Sequence, residues 1–163
     1  MTHSEELINW GPSLVTGIAS IDEQHRVLVD MCNQAHSLLR VHSTTDSIKQ
    51  IVRDLMSYAL YHFEEEEELA VTSCYGAERS EEFAHHRSQH QAFASTVADM
   101  QAKLLHGNEI SVQVLFDFLR NWLIQHIQGT DIQLAHYIND RVQSRLTTTQ
   151  KAVLAFQDFS PLP

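Results

Sequence analysis

The chain has 163 residues, enough for one domain with a hydrophobic core, and its hydrophobic fraction of 43% is typical of a globular protein. Its formal net charge of −10 disfavours binding to nucleic acid or to an anionic membrane surface, because both partners require a basic protein face. The chain contains no apolar run near the roughly 18 residues of a membrane span, no signal-peptide pattern and too few cysteines for a disulfide framework, so we expect a cytoplasmic protein.

Glycine and proline are scarce, at 5 and 3 residues, which favours helices over strands. Residues 1–19 are predicted to form an irregular arm that Trp10 anchors. Ser20 followed by Glu23 has the spacing of a capping box at the start of the first helix. Four amphipathic helices are predicted over residues 21–41, 47–71, 80–105 and 110–142. Because the connections are short, we expect an all-α, antiparallel up-down-up-down four-helix bundle over residues 20–142.

The third helix is expected to stop at Gly107, a residue that is typical of helix C-termini. The C-terminal tail, residues 143–163, has two interpretations. In one, residues 152–156 form a short helix that packs back on the bundle. In the other, the tail is a linker that leads to a signalling domain beyond residue 163.

Ligand-type side chains interrupt the apolar stripes of all four helices. Steps of three and four residues keep each stripe on one helix face. The interrupting residues are His25 on the first helix, His62 and Glu66 on the second, His86 and His90 on the third, and His126 on the fourth. Burying such groups without partners costs roughly 2–7 kcal/mol each. One metal centre shared by the four helices would pair all of them.

The second helix offers a choice between two carboxylates. Glu66 lies four residues after His62, on the same helix face, and fits the stripe. Glu65 lies three residues after His62 and is the competing ligand. The remaining glutamates of this run are expected to form a solvated face, and they are Glu64, Glu67 and Glu68.

The third helix offers a similar choice between two histidines. His86 and His90 are four residues apart and therefore share a face, whereas His85 is a competing candidate beside His86. Six of the eleven histidines are expected at the surface or in loops, namely His3, His36, His42, His85, His106 and His136.

Asp131 lies five residues after His126, and in an ideal helix that spacing places the two side chains about 140° apart. A π-bulge near Gly129 would bring them together, and such bulges are frequent at functional sites. The apolar stripe resumes after Asp131 at Leu134 and Ile138, as a bulge would require. We therefore predict a π-bulge within residues 126–131.

The donor set limits the choice of metal. Imidazole combined with carboxylate suits iron, and also zinc or manganese. Zinc is normally satisfied by four ligands, whereas seven side chains fit two ions. Cys32 is interpreted as a small buried hydrophobe, and Cys74 as a free thiol without a special role.

With these motifs the chain resembles the hemerythrins, and most closely their bacterial branch, the bacteriohemerythrins. The matching segments are Gly17-Ile18 with Ile21 to His25, Tyr58 to Phe63 with Glu66-Glu67, His86 with His90 and Phe93, and Trp122 to Ile127 with Asp131. They span about residues 10–138. The chain departs from the family at Ala70, where methionine is common, and at Tyr75-Gly76, where Tyr-Pro is common.

The resemblance implies a non-haem centre of two iron ions inside the bundle. By the family pattern, the terminal ligands are His25, His62, His86, His90 and His126. Glu66 and Asp131 bridge the irons together with an oxo or hydroxo group, which leaves one iron position open for O₂. The resemblance also implies that Trp122, Leu123 and Ile127 form the apolar wall of the O₂ pocket. Plain core packing explains the same three residues, and both interpretations can hold.

Three functions follow from the resemblance. The first is an O₂ carrier or storage protein that binds O₂ reversibly, and the second is an O₂ or redox sensor module. The third is a di-iron oxidase or peroxidase. We rank the enzyme last because the histidine-rich set offers no evident place for a second substrate.

Overall fold

The computed structural model describes residues 7–41 and 44–157, and the side chains of residues 7–37 and 44–151. Within these ranges every regular element is helical, which confirms the predicted all-α class. In chain order they are a 3-10 turn at Pro12–Leu14, α1 (Ala19–Val41), α2 (Thr45–Thr72), α3 (Tyr75–Glu78), α4 (Ser80–Leu105), α5 (Val112–His126), a π-turn (Ile127–Asp131) and α6 (Ile132–Gln157).

Four helical arms form the predicted four-helix bundle. Three of them are α1, α2 and α4, and the fourth is the continuous run of α5, the π-turn and α6. α1 packs against α2 and α5, and α2 packs against α4. Because short connections join successive arms, neighbouring arms run antiparallel.

The entrance to α1 differs from the prediction. The helix begins at Ala19, so Ser20 lies inside it rather than at the cap. The carboxylate of Asp22 holds the entrance instead, because it accepts hydrogen bonds from the backbone N–H of Thr16 at 2.7 Å and from the Thr16 hydroxyl at 2.8 Å. The predicted capping box between Ser20 and Glu23 is therefore wrong.

The C-terminus of α4 follows the prediction at Gly107. The φ angle of Gly107 is +81°, a conformation that glycine adopts without steric penalty. Its N–H donates to the carbonyl of Leu104 at 3.2 Å, and the N–H of Asn108 donates to the carbonyl of Lys103 at 3.0 Å. These two bonds satisfy carbonyl groups that the end of the helix leaves without partners.

The described part of the N-terminal arm is fastened to the bundle. Ile8 is buried, and its backbone N–H and carbonyl both bond to the side chain of Asn33 on α1, at 2.8 and 2.9 Å. Trp10 packs against the core, and the guanidinium of Arg26 lies 5.1 Å from its ring centroid. The predicted anchoring role of Trp10 is confirmed.

Two apolar clusters occupy the interior of the bundle on either side of a polar layer. The larger one contains Phe63 and Ile127, and the smaller one contains Ala70, Tyr75 and Leu134. Along α2, the buried Glu66 lies between Phe63 and Ala70, so the polar layer separates the two clusters.

The fourth arm continues beyond its predicted end. We expected a helix end near residue 142, followed by a tail that holds either a short helix at 152–156 or a linker, whereas α6 runs unbroken to Gln157. Residues 132–157 contain neither glycine nor proline, and nothing in this stretch interrupts a helix. All residues from 142 to 151 are exposed, so this part of α6 projects from the bundle. Among the described residues, no helix is both long and apolar enough to cross a membrane.

Candidate metal centre

The polar layer of the bundle brings together all seven predicted ligands. Each of them has at most 3% of its surface exposed. α1 supplies His25, α2 supplies His62 and Glu66, α4 supplies His86 and His90, α5 supplies His126, and the π-turn supplies Asp131. The competing candidates Glu65 and His85 are both exposed and lie outside the cluster.

The predicted π-bulge is confirmed. Residues Ile127–Asp131 form a π-turn between α5 and α6, which adds one residue to the helical arm. As a result, Asp131 Oδ1 lies 3.0 Å from His126 Nε2 although five positions separate the two residues. The exposed Gly129 lies in the middle of this turn.

The seven side chains form two groups that share both carboxylates. One group contains His25 and His62, the other contains His86, His90 and His126, and Glu66 and Asp131 belong to both. Within each group, one ligand atom per residue lies within 4.8 Å of all the others.

Asp131 turns one oxygen toward each group. Its Oδ2 lies 3.2 Å from His25 Nε2, and its Oδ1 lies 3.0 Å from His86 Nε2. Glu66 Oε1 lies 3.7 Å from His25 Nε2, whereas its Oε2 contacts both groups, at 3.5 Å from His62 Nε2 and 3.3 Å from His90 Nε2. Carboxylates placed between two sets of imidazoles have the arrangement of bridging ligands.

The cluster contains many buried polar atoms without hydrogen-bond partners. They are both ring nitrogens of His25 and of His86 and both carboxylate oxygens of Glu66 and of Asp131. In addition, the Nε2 atoms of His90 and His126 face each other at 2.9 Å. Buried polar groups are normally paired, so this concentration of unpaired donor atoms fits a site built for metal ions.

The carboxylates are ionised in the folded chain. Burial alone raises the pKa of Glu66, but the charge of His62 and close contacts with the neighbouring imidazoles outweigh burial and hold that pKa well below its usual value. Burial and the charge of Glu66 raise the pKa of Asp131, but His126 and His25 outweigh them and lower it. Ionised carboxylates are the form that binds a metal.

The imidazoles divide into two kinds. Burial lowers the pKa of His25 and of His86, but the close, negatively charged carboxylates of Asp131 and Glu66 overcome it and raise both values to about 9. For His62 burial prevails over the charge of Glu66, and the pKa falls to about 4. A metal that binds this cluster at neutral pH must therefore displace protons from His25 and His86.

Three ligand imidazoles have their outer nitrogen fixed by a side chain. His62 Nδ1 donates to Gln24 Oε1 at 2.9 Å, His90 Nδ1 to Glu67 Oε1 at 3.1 Å, and His126 Nδ1 to Gln89 Oε1 at 2.7 Å. Thr130 Oγ1 also donates to Gln89 Oε1, at 3.1 Å. Each bond leaves the Nε2 lone pair directed into the cluster, as a metal ligand requires.

Sequence reasoning missed these four partners. Glu67 was assigned to a solvated face, and that assignment is wrong, because the side chain is 32% exposed and bonds to both His90 and Arg87. A usable signal was nevertheless present in the sequence, since each partner is adjacent to a ligand. The adjacent pairs are Gln24 with His25, Glu67 with Glu66, Gln89 with His90, and Thr130 with Asp131.

Apolar and aromatic side chains cover the ligands. Leu123 and Ile127 are buried, at 4% and 0% exposure, and both belong to the larger core cluster. The ring of Trp122 stacks on His126 with centroids 4.3 Å apart, and Phe63 stacks on His90 at 3.9 Å. A cavity of about 200 Å³ opens beside Trp122 and His126.

The histidines outside the cluster follow the prediction with one exception. His85, His106 and His136 are exposed as expected, and His3 and His42 lie outside the described residues. His36 was expected at the surface but is only 3% exposed, because its ring stacks on Phe116 of α5 with centroids 4.0 Å apart.

The cysteines match their expected roles. Cys32 is buried in the larger apolar cluster, and burial raises the pKa of its thiol to about 12, so it behaves as a small hydrophobe. Cys74 is exposed and makes no disulfide.

The connection between α2 and α4, where the sequence departs from the family pattern, is tightly packed. Ala70 is fully buried, and Tyr75 is 2% exposed. A side chain at Gly76 would bring its Cβ within 2.9 Å of the Phe83 ring, so this position requires a glycine unless Phe83 moves. Gly76 therefore lets α3 pack closely against Phe83 of α4.

Comparisons with known proteins agree with this geometry. The model of the hemerythrin HHE cation binding domain matches residues 16–137. The chain is 30% identical over 140 residues to a bacteriohemerythrin of Stenotrophomonas maltophilia (strain R551-3), covering 86% of this chain and 84% of that protein. A bacteriohemerythrin of Methylococcus capsulatus (strain Bath) is 31% identical over 117 residues, covering 71% and 84%. A crystal structure of wild-type hemerythrin superposes with a TM-score of 0.72 at 26% identity, over 82% of this chain and 98% of that one.

Proposed function

Because the chain belongs to the hemerythrin family, we propose that its seven buried side chains hold two iron ions and that the protein binds O₂ reversibly at this centre. The observation that carries the proposal is the sharing of Glu66 and Asp131 between two groups of imidazoles. A mononuclear zinc site would need only four of these donors. Two ions bridged by both carboxylates use all seven.

The two groups suggest how the ions are divided. His25 and His62 would bind one iron, and His86, His90 and His126 would bind the other. Glu66 and Asp131, with an oxo or hydroxo group, would bridge them. When bound, the iron pair would supply two electrons and an open coordination position for O₂.

The buried wall would control what reaches this position. Leu123 and Ile127 offer only aliphatic surface, and Trp122 covers His126 by stacking on it. A wall without polar groups excludes water and protons. Both would otherwise promote permanent oxidation of the iron instead of the release of intact O₂. The chain's contribution to reversibility is therefore a dry, closed pocket.

The direct test combines metal analysis with a visible spectrum of the reduced protein before and after air. We expect about two irons per chain, an absorption change on exposure to air, and its reversal under vacuum with one O₂ released per two irons. Protein produced with ample iron that proved metal-free, or that held a single zinc, would overturn the proposal.

One observation favours a sensor over a simple carrier. Asp131 is the last residue of the π-turn, and α6 continues from it without interruption to Gln157, with residues 142–151 exposed. A displacement of Asp131 would act on the N-terminal end of α6, whose C-terminal part projects from the bundle. A sensor should therefore differ between ferrous and ferric forms in the rate at which a protease cuts residues 142–157, whereas a carrier should show equal rates.

An oxidase or peroxidase remains the third candidate. An oxidase would consume O₂ continuously in the presence of a reductant, and a peroxidase would consume a peroxide, whereas a carrier or a sensor should take up a fixed amount of O₂. Measuring O₂ with an electrode, and hydrogen peroxide in a parallel assay, both under excess reductant, separates these cases. We expect uptake to stop once the binding sites are filled.

A further inference from the structure

The ligand imidazoles differ in the charge of the group that accepts their outer N–H. His62 donates to the neutral amide of Gln24, and His126 donates to the neutral amide of Gln89. His90 donates instead to the carboxylate of Glu67, at 3.1 Å. Among the side chains that the structure describes, Glu67 is the one acidic acceptor for an outer nitrogen of the cluster.

The carboxylate of Glu67 is held in place from two sides. Its Oε1 faces His90, and its Oε2 accepts a hydrogen bond from Arg87 Nε at 3.0 Å. Glu67 lies on α2, while His90 and Arg87 both lie on α4, one turn apart. The arrangement therefore connects two arms of the bundle next to the cluster.

The ring of His90 has little freedom. Phe63 stacks on one of its faces with an interplanar angle of 8°, and His90 Nε2 lies 3.3 Å from Glu66 Oε2. With the ring plane set by Phe63 and the Nδ1–H bond set by Glu67, the direction of the Nε2 lone pair is determined. The same hydrogen bond makes this imidazole a stronger electron donor than one bonded to an amide, because an anionic acceptor raises the basicity of the ring.

We propose that Glu67 is a positioning residue that fixes the orientation of His90 and, through this charged hydrogen bond, favours the ferric over the ferrous form of the iron that His90 binds. The proposal rests on the proposed function, since it requires iron at the cluster. Arg87 shares the carboxylate and keeps it directed at His90. The neutral acceptors Gln24 and Gln89 orient their imidazoles without this electronic effect.

The variant that tests the proposal is Glu67→Gln. Glutamine keeps the length of the side chain and a carbonyl oxygen that can accept from His90, but it removes the negative charge. Glu64→Gln is the matched control, because it makes the same charge change on the same helix at an exposed position. Both variants should fold and bind iron.

The first readout is the midpoint potential of the iron centre, measured by spectroelectrochemistry. In Glu67→Gln we expect the ferric-to-ferrous equilibrium to move at least tenfold toward ferrous, which corresponds to an upward shift of about 59 mV for one electron. Glu64→Gln should shift the potential by much less. Equal potentials in the two variants would overturn the inference.

The second readout needs no iron, so it also tests the role of Glu67 if the Glu67→Gln variant binds iron poorly. Co²⁺ titration of the metal-free protein should give at least a tenfold weaker affinity for Glu67→Gln than for Glu64→Gln, since mutation of an outer partner of a ligand typically has an effect of about 10–100-fold. Equal Co²⁺ affinities would contradict the role of Glu67. If the unaltered protein fails to bind iron at all, the proposed function fails, whereas iron loading with no difference between the variants refutes Glu67 alone.

Discussion

Asp131 Oδ1 lies 3.0 Å from His126 Nε2, and both residues stand on one helical arm at a spacing that a regular α-helix would not bring together. The π-turn at Ile127–Asp131 inserts the extra residue that makes this contact. It also places Thr130 against Gln89, which accepts the outer N–H of His126. The irregular segment is therefore the part of the bundle that completes the ligand set.

If the π-turn is a one-residue insertion in an α-helix, then deleting Gly129 should be tolerated. The deletion would place Asp131 four residues after His126, on the same face, and would preserve the register of α6. We expect circular dichroism and iron content close to those of the unaltered protein. Insertion of an alanine after Gly129 should instead turn Asp131 away and reduce iron binding. Equal iron content in the two variants would show that the π-turn does not set the position of Asp131.

Removal of a ligand should cost both metal and stability. We expect His62→Ala and Glu66→Ala to bind far less iron and to lower the free energy of unfolding by about 3–5 kcal/mol, because the remaining buried groups lose their partners. Iron per chain and urea unfolding measure the two effects. The control is Glu65→Ala, which removes an exposed neighbour and should leave both values unchanged. Full iron content in His62→Ala and Glu66→Ala would refute the site.

The bundle and the clustering of the seven buried side chains could be predicted from the sequence because both depend on periodicity. A buried face repeats every three or four residues, so a histidine such as His25 or His90 in line with apolar residues indicates what the core contains. The π-turn could also be predicted, since Asp131 and the stripe after it are both displaced by one residue.

Other features could not be read from periodicity. Glu67 and Gln89 lie off the stripes, and their importance depends on which residue of a neighbouring helix they face, which is a property of the packing. In the sequence His36 has the pattern of a surface residue, and only its stacking on Phe116 in the folded chain explains its burial. The length of α6 is not set by the packed stripe, because the helix continues beyond the last buried positions to Gln157.

The role of Leu123 in the wall of the pocket can be tested by truncating its side chain. Leu123→Ala should increase the rate at which the O₂-bound form oxidises, because the gap admits water next to the iron. A buried leucine truncated to alanine also costs about 2–5 kcal/mol of stability. Leu119→Ala is the control, since Leu119 is buried in the same cluster one turn before Leu123 and should have a similar stability effect. An autoxidation rate equal to that of the control would remove Leu123 from the pocket.

The metal-free protein should lose stability as the pH rises above neutrality. The pKa values of His25 and His86 are raised from 6.5 to about 9 in the folded chain, chiefly by Asp131 and Glu66 against the opposing effect of burial. A raised pKa stabilises the fold fully below 6.5, and that contribution disappears as the pH increases through 9. We expect the free energy of unfolding to fall by about 1.4 kcal/mol per pH unit for each proton within this range.

Urea unfolding of the metal-free protein at pH 6.5, 7.5 and 8.5 measures this slope. Asp131→Asn should flatten it, because Asp131 is the largest favourable influence on both imidazoles. The iron-loaded protein should show no such decline, since its ligands are already deprotonated. A metal-free protein whose stability stayed constant or increased from pH 6.5 to 8.5 would mean that His25 and His86 do not carry these protons, and that the carboxylates are paired in another way.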